Sequence, residues 1–101
     1  MSLMDTMAKD RRRLILEHLA AAEGNSLPAG VLETVVGQAR HGAWRDIVKG
    51  DLSVLAQHNL VAMEDLPSAI GPQRMVNLTG LGLDVARGRA HPAVADRLPT
   101  Y

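Results

Sequence analysis

The apolar residues of this chain change their rhythm at Asn59, and that change limits what it can fold into. Up to His58 they recur at three- and four-residue steps, the spacing that lines one side of a helix. Beyond Asn59 they gather in two short runs, Leu60 to Glu64 and Met75 to Leu78. Between these lies a turn-rich stretch, Asp65 to Arg74, carrying Pro67, Gly71 and Pro72, which reads as the loop of a hairpin. The pattern predicts a mainly α protein with a small β-hairpin.

Within the helical part, Met4 to Ala22 forms a first helix with Met4, Met7, Ala8, Leu14, Ile15, Leu19 and Ala22 on its apolar stripe. Ser2 or Asp5 caps its start, and Gly24 with Asn25 marks its end. Asn25 to Pro28 is an extended connector, because the residue before a proline avoids helical backbone. A second helix, Pro28 to Ala39, has Val31, Leu32, Val35 and Val36 as its apolar face. A tight turn, Arg40 to Ala43, leads into a third helix, Ala43 to His58. There Ile47, Val48, Leu52, Leu55 and Ala56 are expected inside; Arg45, Asp46, Lys49, Gly50, Ser53 and Gln57 are expected outside. Asn59 then sits where a helix ends in a left-handed residue. Thr79 caps a last short helix from Gly80 to Gly88. The expected domain is residues 1–88, followed by a loosely ordered tail over 89–101.

Composition narrows the function. The 101 residues include no Cys and no Phe, and only Trp44 and Tyr101 are aromatic. The core is therefore aliphatic, disulfides and thiolate chemistry are excluded, and base-stacking platforms for single strands are absent. No apolar run approaches the roughly 20 residues of a membrane span, and no secretion signal is visible, so a cytoplasmic setting is expected. Eleven basic and eleven acidic side chains cancel, which argues against an avid non-specific nucleic-acid coat. His18, His41, His58 and His91 never share a helical face at ligand spacing, so no metal site is expected. No phosphate loop or nucleophile–base pair appears; neither an enzyme nor a bound cofactor is expected.

Helix, helix, tight turn, helix, hairpin, helix is the order of a winged helix-turn-helix. The run Asp51-Leu52-Ser53-Val54-Leu55-Ala56-Gln57-His58-Asn59-Leu60-Val61 resembles the end of a recognition helix entering the first wing strand of ArsR-, MarR- and PadR-like regulators. In those families two leucines three apart precede a Gly-Leu-Val. Leu78-Thr79-Gly80-Leu81-Gly82 is similar to the Leu-Thr-x-x-Gly that closes their second wing strand. Over residues 3–90 the chain further resembles small winged-helix proteins of Mu-like phages and prophages. It shares a start like Asp10-Arg11-Arg12 and an end like Gly82-Leu83-Asp84-Val85-Ala86-Arg87-Gly88-Arg89-Ala90. The resemblance implies a DNA-binding regulator in the bacterial host's cytoplasm. Two departures stand out: Asn59 replaces a common glycine, and the hairpin loop has no lysine or arginine before Arg74 at its base.

The implied DNA contacts follow from this order. Arg45 and Lys49, one turn apart, project to one side and would reach phosphates or a guanine edge. Ser53 and Gln57 continue the stripe and would tune base contact, while Arg40, Arg74, Arg12 and Arg13 would hold phosphates. The basic run Lys9, Arg11, Arg12 and Arg13 reads equally as the wet side of its helix, with Asp10 and Glu17 as partners. Trp44 either packs over the hinge between helices, as a lone tryptophan does more often, or faces a duplex or a dimer surface. Leu3, Met4 and Met7 exceed the apolar needs of so small a core and suggest a homodimer through the first helix. Zero net charge and the apolar hairpin loop favour a rival, a protein-interaction module with a phage protein as its partner. A DNA-packaging accessory is a third reading.

Overall fold

The computed structural model describes residues 2–38 and 45–96. The first helix, α1 (Leu3–Ala21), is capped by Ser2, whose side chain accepts from the Asp5 backbone N–H at 3.1 Å. It is covered on two flanks. Ile15, Leu16 and Leu19 are buried in the core, and so are the polar Arg11 and Arg13. After a short 3-10 turn over Glu23–Asn25 come β1 (Ser26–Pro28), α2 (Ala29–Gly37), α3 (Arg45–Gln57), β2 (Val61–Leu66), β3 (Gln73–Leu78) and α4 (Gly80–Ala86).

Four helices thus pack with a small three-stranded antiparallel sheet of order β1-β3-β2. The expected hairpin is present, its register running from Val61↔Leu78 to Leu66↔Gln73. The connector before α2 turns out to be the third strand, Leu27 facing Val76. Its extended backbone, imposed by Pro28, presents β3 with a free edge partner.

Two helical faces differ from expectation. On α2, Ala29, Leu32, Glu33 and Val36 form the inward stripe, leaving Val31 and Val35 exposed on the far side. On α3 the inward stripe is Val48, Asp51, Leu52 and Leu55, and Ile47 falls on an exposed flank. The remaining core comes from Leu60, Val61, Val76, Val85, Ala86, Ala93 and Val94.

The chain leaves α3 as expected. Asn59 has φ 59°, the Leu60 N–H donates to the Leu55 carbonyl at 3.0 Å, and the Asn59 N–H donates to the Ala56 carbonyl at 3.1 Å. That pair of bonds closes a helix through a left-handed residue. Thr79 then joins both ends of the hairpin to α4. Its hydroxyl donates to the Asn59 carbonyl at 2.7 Å and accepts from the Gly82 N–H at 3.0 Å. α4 consequently lies so close that a Cβ on Gly82 would be 2.0 Å from the Leu60 carbonyl oxygen.

The segment after α4 is not a loose tail as far as residue 96. Ala93 and Val94 are buried in the core. The Arg12 guanidinium donates to the Ala93 carbonyl at 3.0 Å, and the Ala95 N–H donates to the Lys9 carbonyl at 3.1 Å. Arginines on α1 supply the partners that an irregular segment lacks within itself. The His91 ring meets the His58 ring edge-on, centroids 5.1 Å apart, and its Nδ1 accepts from the Ala93 N–H at 3.1 Å. Burial, then the charges of His58 and Arg89, push the His91 pKa below its usual 6.5.

Two outcomes follow. Gly82→Ala is expected to lower stability by about 2 kcal/mol, read from the urea midpoint, because backbone is what it strikes. The folded chain also binds the His91 proton less readily than the unfolded one. Its contribution is therefore whole above about pH 6.5 and is lost as pH falls through the depressed native value. His91→Asn, whose carbonyl can still accept from Ala93, should flatten that part of the stability profile.

Candidate nucleic-acid interface

A helix presents the same face reliably only if something fixes its rotation, and on α3 that is Asp51. Its carboxylate is buried and receives Arg11 Nε at 2.6 Å, with Arg12 Nε 3.3 Å away. Arg11 falls on the same helical stripe as Ala8, Ile15 and Leu19, so its guanidinium is directed inward at α3. With Asp51 held in this way, Arg45, Lys49, Ser53 and Gln57 form an exposed ridge at four-residue steps on the other side. Among the described residues no ion pair engages Arg45 or Lys49. The Ser53 hydroxyl donates back to the Lys49 carbonyl at 3.2 Å, leaving its oxygen lone pairs outward.

The other expected contacts are placed differently. Arg74 is at the hairpin, directly across from Asp65, and its Nε donates to Asp65 Oδ1 at 3.0 Å. This hydrogen bond and the carboxylate charge raise the Arg74 pKa further. Both partners are exposed, so the pair is a weak one that a stronger anion can open. Arg12 and Arg13, expected on phosphates, instead make contacts within the protein. Arg12 spans Asp51 and the Ala93 carbonyl, and Arg13 is buried with Nη2 donating to the Val85 carbonyl at 2.9 Å and Nε to that of Ala95. Arg13 also lies 3.6 Å from Glu17, its expected helical partner. Arg13 is buried and Arg12 half-buried. Arg40 and Trp44, with the turn between α2 and α3, lie outside the described residues.

A cleft of about 410 Å³ separates α3 from the hairpin. Lys49 and Ser53 line it from one side, Asp65, Pro72 and Arg74 from the other, and Glu33 of α2 lies at its floor with 8% exposure. Sequence reading missed Glu33, Asp51 and Arg11. The available signal was position: each is a charged residue at the step where its helix otherwise puts apolar side chains. Among the described residues no group of three His, Asp or Glu side chains is arranged to hold a metal. No described helix is long and apolar enough to cross a membrane.

The described residues thus combine a buried ion pair between α1 and α3, an exposed ridge on α3 and an adjacent hairpin. No family model matches the chain. Over 93 residues it is 34% identical to the uncharacterized protein gp26 of Escherichia phage Mu, an alignment covering 92% of each chain. The chain belongs to the family of that phage protein, in agreement with the phage resemblance read from its sequence.

Stability measurements separate the buried ion pair from the ridge. Asp51→Ala should cost about 3 kcal/mol, since it strands two largely buried guanidiniums. Lys49→Ala should stay within about 0.5 kcal/mol of the wild type in the same urea titration.

Proposed function

We propose that the chain is a winged helix-turn-helix that binds double-stranded DNA as a phage regulator of transcription, with α3 in the major groove and β2–β3 as the wing. The observation that carries this reading is the ridge of α3. Its basic side chains stay exposed and unpaired among the described residues while a buried carboxylate fixes the helix behind them. Arg45 and Lys49 supply the main contacts, to phosphates or a guanine edge, and Ser53 and Gln57 tune base contact. Arg40 and Arg74 hold flanking phosphates, Arg74 by exchanging Asp65 for the duplex. Exposed Leu3 and Met4, at 74% and 79%, favour a dimer through α1. A two-fold axis there would set two recognition helices on successive turns, ~34 Å apart.

The acids around the ridge favour the rival reading of a protein-interaction module. Asp46 is exposed beside Arg45, and Glu33 and Asp65 line the cleft below Lys49. Fluorescence anisotropy against fragments of the phage's own regulatory regions distinguishes the two. With Arg40, Arg45, Lys49 and Arg74 on phosphates, log affinity should fall against log salt with a slope of about −3.6 per protomer. Arg45→Ala with Lys49→Ala should weaken binding at least about tenfold. Binding unchanged in that double variant removes the ridge from the interface. Affinity no better than that of an unrelated neutral protein, together with a stable complex with another phage protein, establishes the module instead.

A further inference from the structure

The hairpin tip carries no charge, yet it stands beside a cleft that Lys49 and Arg74 line together with Asp65 and Glu33. Residues 66–72 read Leu-Pro-Ser-Ala-Ile-Gly-Pro. Ile70 is 99% exposed, with no packing to account for its place at the apex, and Leu66 is exposed below it. The tip is nevertheless well defined. The Gly71 N–H donates to the Ser68 carbonyl at 3.1 Å, and the Ser68 hydroxyl donates to the Gly71 carbonyl. This closes a four-residue turn whose third position is Ile70, and Gly71 takes φ 109°, where a side chain would be strained. Pro67 and Pro72 stiffen the two feet of the turn. Below it, β2 and β3 are paired up to Leu66↔Gln73 and anchored in the core through Val61 and Val76. The cleft shared by Pro72, Arg74, Lys49 and Ser53 places the hairpin alongside the α3 ridge.

We propose that Ile70 is a wedge for a base step: with α3 in the major groove, the hairpin tip enters the adjoining minor groove, parts two stacked base pairs and bends the duplex. The inference rests on the DNA-binding reading and specifies how the hairpin takes part in it. An uncharged tip offers phosphates no cation. An apolar side chain on a stiff ribbon matches the chemistry of minor-groove wedges, which unstack a step and kink the helix. Pyrimidine–purine steps, TA above all, yield most easily to it. Arg74 and Asp65 at the base of the hairpin leave one guanidinium for the flanking backbone as the tip seats.

The test uses the full chain at low salt with a ~30-base-pair A·T-rich duplex, labelled at both ends for energy transfer and carrying 2-aminopurine in its TA steps. Wild-type protein is expected to bend the duplex by about 20° or more and to raise 2-aminopurine emission as stacking is lost. Ile70→Ser should bind within about threefold of wild type, because phosphate contacts carry affinity, but leave bend and emission at the values of free DNA. Ile70→Phe, which keeps an apolar wedge, should retain both signals. Full exposure of Ile70 means that neither change touches the fold, and thermal melts verify this. Wild-type binding without bending, or equal bending by Ile70→Ser, overturns the wedge while leaving the DNA reading intact. Absence of any anisotropy change with the duplex overturns both. Self-association in sedimentation without DNA that disappears in Ile70→Ser assigns the tip to a protein contact and also overturns the wedge.

Discussion

Asp51 is the point on which this molecule's geometry turns. A carboxylate buried in an aliphatic core is tolerable only with donors placed around it, and α1 provides two arginines for one acid. Such a pair adds little net stability relative to an apolar substitute, but it admits few alternative arrangements. Val48, Leu52 and Leu55 already turn one face of α3 inward, but apolar packing is non-directional and leaves the helix some freedom to shift. Directional bonds to Asp51 remove that freedom and thereby fix which side chains of α3 reach solvent. Arg12 extends the constraint, since the same guanidinium also holds the Ala93 carbonyl of the C-terminal segment. The presented face, the first helix and the segment around Ala93 are in this way one mechanical unit.

Much of the architecture was legible because helical spacing, proline and turn chemistry are local properties. The three long helices, the hairpin, the caps at Ser2 and Thr79 and the left-handed Asn59 all lie where the sequence indicates. What escaped depends on partners distant in sequence. β1 is too short to announce itself, and becomes a strand only because β3 offers it an edge. Val35 and Ile47 were expected inside because they are apolar; Glu33 and Asp51 occupy the inward steps instead. The segment after α4 looks loose from its prolines and small residues. It is ordered as far as residue 96 by arginines more than seventy positions earlier.

The candidate surface divides along the same line. Arg45, Lys49, Ser53 and Gln57 share one element, so their common side followed from a four-residue step alone. Arg12 and Arg13 share an element too, but α1 is covered on both flanks, and nothing local distinguishes a solvated arginine from one serving buried carbonyls. Arg74 and Asp65 meet through the register of two strands, which depends on the length of the intervening loop. Zero net charge likewise conceals an arrangement: of the basic residues, three guanidiniums are spent internally on Asp51 and on carbonyls between Val85 and Ala95.

The arginines of α1 hold the end of α4 and the segment after it by their peptide oxygens, at Val85, Ala86, Ala93 and Ala95. A grip on main-chain atoms is indifferent to the side chains it passes. Mutational drift along that stretch therefore leaves the clasp untouched wherever the backbone trace is kept and the two small buried residues stay small. Relatives that differ widely there in sequence can close their chains in the same way, so long as Arg12 and Arg13 have equivalents.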